Sequence, residues 1–202
     1  MIRNILLFGG TFDPVHNGHI ALLQNAYNLV HPDLTLIIPS SLPPHKDAAK
    51  TQAAMRMEMC KALANAVPNA RVDDIELLRN GRSYTVDTVA QLCQQYKGAR
   101  FYFCVGSDML LYFSHWKSWQ TLLSVVTLVV QSRQDADMRA VQKEALRLVG
   151  LGGRILLAKE QPVEMSSTLL REMIYNNQDI TNAVPPSVAL LISQNNLYKN
   201  GE

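Results

Sequence analysis

Two histidines, two glycines and an aspartate fall within one short stretch, Gly9-Gly10-Thr11-Phe12-Asp13-Pro14-Val15-His16-Asn17-Gly18-His19. It lies between an apolar run, Asn4 to Phe8, and a helix-like segment, Ile20 to Val30. Glycines at such a strand-to-helix junction let a bulky ligand approach the backbone without a Cβ in the way. The helix that follows aims free N–H groups and positive dipole at an anion. His16 and His19 are three apart, on one face of a helical first turn. Imidazole is a hydrogen-bond donor that can carry charge near neutral pH. The pattern describes a phosphate site with chemistry built onto it. It is neither Gly-x-Gly-x-x-Gly nor a Walker loop, and His-Glu-x-x-His is absent. Two cap histidines after an ordinary turn are the plainer alternative.

Four further loops carry candidate groups. Pro39-Ser40-Ser41-Leu42-Pro43-Pro44-His45-Lys46 is stiffened by three prolines. It would hold His45 and Lys46 over the sheet edge, with Lys46 a mobile point charge for phosphate. Arg79 to Asp87 contains an Asn-Gly turn, a Ser83 suited to an N-cap, and an Asp87 suited to a first turn. A capped helix explains Ser83 and Asp87; the free amides of Tyr84 and Thr85 remain open to an anion. Gly106-Ser107-Asp108-Met109 combines a close approach with a carboxylate whose two acceptors suit ribose hydroxyls. A short capped helix is the equal alternative there. Met165 to Arg171 brings Ser166, Ser167 and Thr168 to a helix start, with Arg171 on the same face. Hydroxyls, amides and a guanidinium would converge there into a phosphate site; a hydroxyl-capped helix with an exposed Arg is the plainer alternative. Arg133, after an apolar run, is a further triphosphate candidate.

The elements that must position these loops alternate along the chain. Strands are expected over Asn4–Phe8, Leu34–Ile38, Arg71–Asp74, Arg100–Val105, Val125–Gln131 and Arg154–Ala158. Helices are expected over Gly18–Val30, Gln52–Ala64, Tyr84–Tyr96, Trp116–Leu123, Met138–Val149, Ser167–Asn176 and Ser187–Asn195. The central runs are continuously apolar, as strands buried on both faces should be. Such alternation predicts an α/β fold, a doubly wound parallel sheet with helices on both faces. Ligands in these sheets bind beyond the carboxyl ends of the strands. With no repeat or linker, one domain over residues 1–202 is expected.

The 202 residues are 48% hydrophobic and 18% charged, a composition of globular chains rather than disordered ones. A net charge of +2 gives no bulk case for nucleic acid or a membrane surface. Cys60, Cys93 and Cys104 lack the spacing of a disulfide framework or zinc site. Ile5-Leu6-Leu7-Phe8 is too short for a signal peptide's apolar region, and Val125 to Val130 is too short to span a bilayer. The expectation is a soluble cytoplasmic protein. A homo-oligomer is compatible with the sequence, which is otherwise silent on assembly.

Gly10 to His19 resembles the nucleotidylyltransferase signature Gly-x-Phe-Asp-Pro-x-His-x-Gly-His without departure. Met165 to Arg171 resembles the same family's second signature, Ile-Ser-Ser-Thr-x-x-Arg, with Met165 for Ile. Pro43 to Lys46, and Ser83 to Thr88, are similar to elements of its nicotinate-mononucleotide adenylyltransferase branch. The resemblance spans nearly the whole chain and implies a Rossmann-like fold. It implies transfer of AMP from ATP to nicotinate mononucleotide, giving deamido-NAD and pyrophosphate, with the acceptor phosphate attacking directly. It implies His16, His19, Lys46 and Arg171 as catalytic residues. ATP would be bound by Gly9, Gly10, Thr11, Phe12, His16, His19, Gly106, Asp108, Arg133, Ser166, Ser167, Thr168 and Arg171. The mononucleotide would be bound by Asp13, His45, Lys46, the Tyr84 and Thr85 amides, and Trp116 stacked on the pyridine ring. Trp119, one turn on, reads as core. Mg2+ would come with ATP, since no carboxylate cluster suggests a protein-built metal cage. One departure stands out: Phe113-Ser114-His115 replaces an expected Leu-Pro before Trp116. A sister nucleotidylyltransferase (phosphopantetheine adenylyl- or cytidylyltransferase), a binding module without turnover, and a metal-dependent hydrolase using Asp13, His16 and His19 stay as rivals.

Overall fold

The computed structural model describes residues 2–41, 51–79, 82–131, 138–158, 163 and 165–199. Its six strands are β1 (Asn4–Gly10), β2 (Leu34–Pro39), β3 (Ala70–Val72), β4 (Arg100–Gly106), β5 (Val126–Gln131) and β6 (Arg154–Ala158). They form one sheet in the order β3-β2-β1-β4-β5-β6, every pairing parallel. Its helices are α1 (Asn17–Val30), α2 (Ala53–Ala64), α3 (Thr85–Gln95), α4 (Ser107–Tyr112), α5 (Trp119–Val125), α6 (Met138–Gly150), α7 (Ser167–Tyr175) and α8 (Pro186–Gln194).

Alternation along each strand divides the core in two. Ile5, Leu7, Leu36, Phe101, Phe103, Val126 and Leu128 face a layer holding buried residues of α3, α4, α5 and α6. Leu6, Phe8, Ile37, Cys104 and Val129 face α1, α2, α7 and α8. Strands covered on both faces have no polar side, which is why their sequences run apolar throughout. Each buried Leu or Ile contributes about 1.5–3 kcal/mol relative to an exposed one.

The doubly wound parallel sheet is as expected. The strand order reverses between β1 and β4, so a crevice opens above their carboxyl ends. Of the two readings open at Gly106, the short helix is present as α4, whose six residues are too few for an apolar period to register. One element differs. The helix expected from Trp116 starts at Trp119 instead. Phe113–His115 forms a 3-10 turn, and Ser118 adopts a left-handed φ of 50°, which separates that turn from α5. No described helix is long and apolar enough to cross a membrane.

Candidate active site

A cleft of about 1260 Å³ opens at the crevice between β1 and β4. Its lining includes Gly9 to Asp13, His16, His19, Tyr84, Thr85, Gly106, Asp108, Trp116, Ser166 to Thr168 and Arg171. Residues far apart in the chain thus meet in one place. His45, Lys46 and Arg133 lie outside the described residues.

The first loop ends in α1, whose N-cap is His16. The His19 amide donates to His16 Nδ1 at 3.2 Å, and the His16 amide donates to His19 Nδ1 at 3.3 Å. This is a capping box made by two imidazoles rather than by hydroxyl and carboxylate. An Nδ1 that accepts carries no proton, so a neutral ring holds its hydrogen on Nε2. Both histidines are therefore fixed as Nε2–H donors. Their rings stack at 3.6 Å with 21° between planes. Phe12, buried at φ 53°, sets its ring edge-on to His19 at 5.2 Å. A non-glycine residue held there costs energy that the surrounding packing must offset. Gly18 sits in a tight place: a Cβ would lie 3.0 Å from both His16 Nδ1 and the Val163 carbonyl, so one of them would have to give by a few tenths of an ångström.

The second signature docks on this loop. Ser166 caps α7 by accepting from the Leu169 amide at 3.1 Å. Ser167 Oγ donates to the Pro14 carbonyl at 2.9 Å. Arg171 Nη1 donates to the Asp13 carbonyl at 2.8 Å, and its Nη2 donates to Thr168 Oγ1 at 3.2 Å. Asp13 itself was expected to contact the mononucleotide. It is 3% exposed, and its carboxylate accepts from the Tyr198 hydroxyl and the Thr51 amide.

Across the cleft, the N-cap of α3 is Tyr84 rather than the expected Ser83. Ser83 is buried one residue earlier, where its Oγ donates to the Glu76 carbonyl at 3.4 Å. The Tyr84 side chain makes no capping bond to the first turn of α3. Lys117 Nζ stands 4.2 Å from the Tyr84 ring centroid and 3.4 Å from Asp87 Oδ2. Trp116 is half-buried, edge-on to Phe103 at 5.9 Å, and lines the cleft. Phe113-Ser114-His115, where Leu-Pro was expected, is tied down from α6: Arg147 donates to Ser114 Oγ. Phe113 is fully buried beneath Trp116. Trp119 packs partly buried against Phe113, with the Arg147 guanidinium 5.6 Å over its ring.

On the β4 side, a Cβ on Gly106 would meet Asp108 Oδ1 at 2.6 Å. Glycine there lets the Asp108 carboxylate lie back along the strand end.

Sequence reading missed Glu76, Thr88 and Lys117, which also line the cleft. Burial pushes the Glu76 carboxyl up, although Thr88 Oγ1 donates to it at 2.8 Å and Arg79 lies nearby. No local pattern marks Glu76; only the fold brings it beside Thr88.

The cytidylyltransferase-like family profile matches residues 7–173. The chain is 37% identical to the probable nicotinate-nucleotide adenylyltransferase of Shouchella clausii, over 98% of this chain and 97% of that one. It is 33% identical to the protein of the same name from Clostridium novyi, over 96% and 98%. Its fold matches the Plasmodium falciparum nicotinic acid mononucleotide adenylyltransferase complexed with NaAD, with a TM-score of 0.79 at 20% identity, over 99% and 100% of the two chains. The same Plasmodium enzyme complexed with APC gives a TM-score of 0.78 at 19% identity, over 99% and 100%. With both signatures facing one cleft and relatives this similar along their full length, the chain belongs to the cytidylyltransferase-like nucleotidylyltransferases, in their nicotinate-nucleotide adenylyltransferase family.

Proposed function

We propose that this protein transfers AMP from ATP to nicotinate mononucleotide, giving deamido-NAD and pyrophosphate in NAD biosynthesis. The observation that carries the reading is a single cleft lined by His16 and His19, by Arg171, and by the α3 start beside Trp116. A triphosphate and a pyridine nucleotide fit those opposed chemistries, and the names of the relatives agree.

A phosphate oxygen of the mononucleotide attacks the α-phosphorus of ATP. The bond to the β-phosphate oxygen breaks, and pyrophosphate leaves with that electron pair. No enzyme nucleophile is needed, so catalysis is positioning plus charge stabilisation. The thiols suit that account. Burial pushes Cys60 up to about 12, and pushes Cys104, which lines the cleft, further up. Neither forms a thiolate at neutral pH.

The Nε2–H groups of His16 and His19 donate to the phosphates. Ser167, Thr168 and Arg171 hold the triphosphate tail, and Asp108 takes ribose hydroxyls. Lys46, His45 and Arg133 keep the roles their sequence context implies. The α3 amides and Lys117 face the nicotinate carboxylate, and Trp116 stacks on the ring. Magnesium brought by ATP would supply neutralisation of phosphate charge. The described residues include no group of three His, Cys, Asp or Glu placed to hold a metal ion, and the Asp13 carboxylate is engaged with Tyr198 and Thr51. The residues of the cleft suit phosphate oxygens rather than a bare cation, so an ion brought by ATP would take its ligands from substrate oxygens and water. One domain acting in the cytoplasm completes this reading.

The test is pyrophosphate release from ATP with a panel of acceptor mononucleotides and phosphates. Nicotinate mononucleotide should support release. Release only with another acceptor, or turnover without ATP, would overturn the reading.

A further inference from the structure

At the back of the cleft, five chain segments are knotted together by polar groups. Arg56, on α2, is 3% exposed. Its Nη1 donates to the Thr11 carbonyl at 2.9 Å and to the Ser40 carbonyl at 2.7 Å. Its Nε donates to the Thr51 carbonyl at 3.3 Å. One guanidinium thus ties the loop after β1 to residues on both sides of the Leu42–Lys50 stretch. Tyr198, beyond α8, closes the knot. Its hydroxyl donates to Asp13 Oδ1 at 2.5 Å and accepts from Thr51 Oγ1 at 2.9 Å. The Thr51 amide donates to Asp13 Oδ2 at 3.3 Å. The Asp13 carbonyl receives Arg171 from α7. Asp13 lines the cleft; Arg56, Thr51 and Tyr198 do not.

Burying a guanidinium away from water is costly unless its hydrogen bonds are met. Burial lowers the Arg56 guanidinium, and the Asp13 carboxylate beside it acts the other way. Burial and Asp13 together push the Tyr198 hydroxyl well up, so it stays a donor. A hydrophobic residue at position 56 would pack in α2 without that cost. It could not hold three carbonyls from three segments in one register.

We propose that Arg56 and Tyr198 are positioning residues for the adenylyl transfer, with Asp13 as the hub through which they act. They fix the loop bearing His16 against Ser40, Thr51 and Arg171. On this account the Asp13 carboxylate orients the loop rather than the mononucleotide. The inference rests on the function proposed above.

Two variants and two readouts test it. Tyr198→Phe removes one hydroxyl and keeps the ring. Arg56→Lys keeps the charge but loses the fork that spans the carbonyls. Misplacement of a reacting group by about 1 Å costs on the order of 100-fold. Arg56→Lys should therefore lower kcat by about 100-fold, and Tyr198→Phe by about 10-fold, with KM for ATP nearly unchanged. Hydrogen exchange of the full chain, followed by mass spectrometry, should quicken at residues 11–16 and 51–56 in both variants and stay unchanged in β4 and β5. Wild-type kcat in both variants, or exchange that rises throughout the molecule or nowhere, overturns the inference. If the wild type itself fails to transfer AMP to nicotinate mononucleotide, the proposed function fails, and the exchange pattern still decides whether the knot holds these loops.

Discussion

On the phosphate side of the cleft, from His16 to Arg171, the described polar groups are bonded to one another. On the ring side, the bonded groups (Arg79, Glu76, Ser83 and Thr88) lie behind the α3 start, while the edge at Tyr84, Trp116 and Lys117 is partly exposed. The first side is braced by His16 and His19 capping each other, Ser167 on Pro14, Arg171 on Asp13, and Arg56 on Thr11. At its cleft edge the second has only the Lys117–Asp87 pair, whose side chains are about half exposed, and an α3 start whose N-cap side chain makes no capping bond. An exposed pair of that kind contributes only about 0–1 kcal/mol. The difference follows the chemistry. Groups that stabilise developing charge must be set in advance, because reorganising them during reaction raises the barrier. Groups that read a substrate's outline can be completed by the substrate itself.

That contrast orders the expected effects of substitution. The largest belongs to the paired histidines. His19→Ala removes an Nε2–H donor and also one half of the α1 cap, so kcat should fall by about 100-fold or more. Steady-state kinetics check this; an unchanged kcat with raised KM would assign His19 to ground-state binding. Gly18→Ala comes next. Its Cβ would press on His16 Nδ1 and the Val163 carbonyl at 3.0 Å. One of them must give, and kcat should drop by about 10-fold with little change in melting temperature.

Arg171→Lys tests the phosphate side through binding. Lys cannot reproduce the planar fork, so ATP affinity by calorimetry should weaken by about 10-fold. Wild-type affinity would leave Arg171 as a brace for Asp13 alone. On the ring side, Glu76→Gln should act on stability. Burial raises the native Glu76 value above the unfolded one, so the native state binds the extra proton. Stability from this group is present at low pH and declines as pH rises from the unfolded value through the raised one. The variant has no such decline, so its melting temperature should gain on wild type as pH rises from about 4 to about 7. A constant difference across that range would contradict the assignment.

Much of this was legible in the sequence because it is local. The two signatures, the strand runs and the helix that follows each phosphate loop are readable within short windows. Trp116 was legible for its type and place, but not the 3-10 turn and left-handed Ser118 that present it. Ser83 has the composition of a cap, yet burial claimed it and the cap passed to Tyr84. Asp13 sits in a motif that invites a ligand role. Only the packing of α2 and the C-terminal turn reveals Thr51 and Tyr198 on its carboxylate. Arg56 left no local signal, because its partners are backbone carbonyls, one just before α2 and two from other segments. Backbone acceptors have no sequence signature.

The central claim is that the ring side reads a carboxylate. It is tested by kcat/KM for nicotinate mononucleotide and for its amide counterpart at saturating ATP. An amide would set its own N–H donors against the α3 amides and Lys117, leaving a polar group unmet at a cost of about 1–3 kcal/mol. The account predicts a preference for the acid of roughly 5- to 150-fold. Equal values, or a preference for the amide, would contradict it.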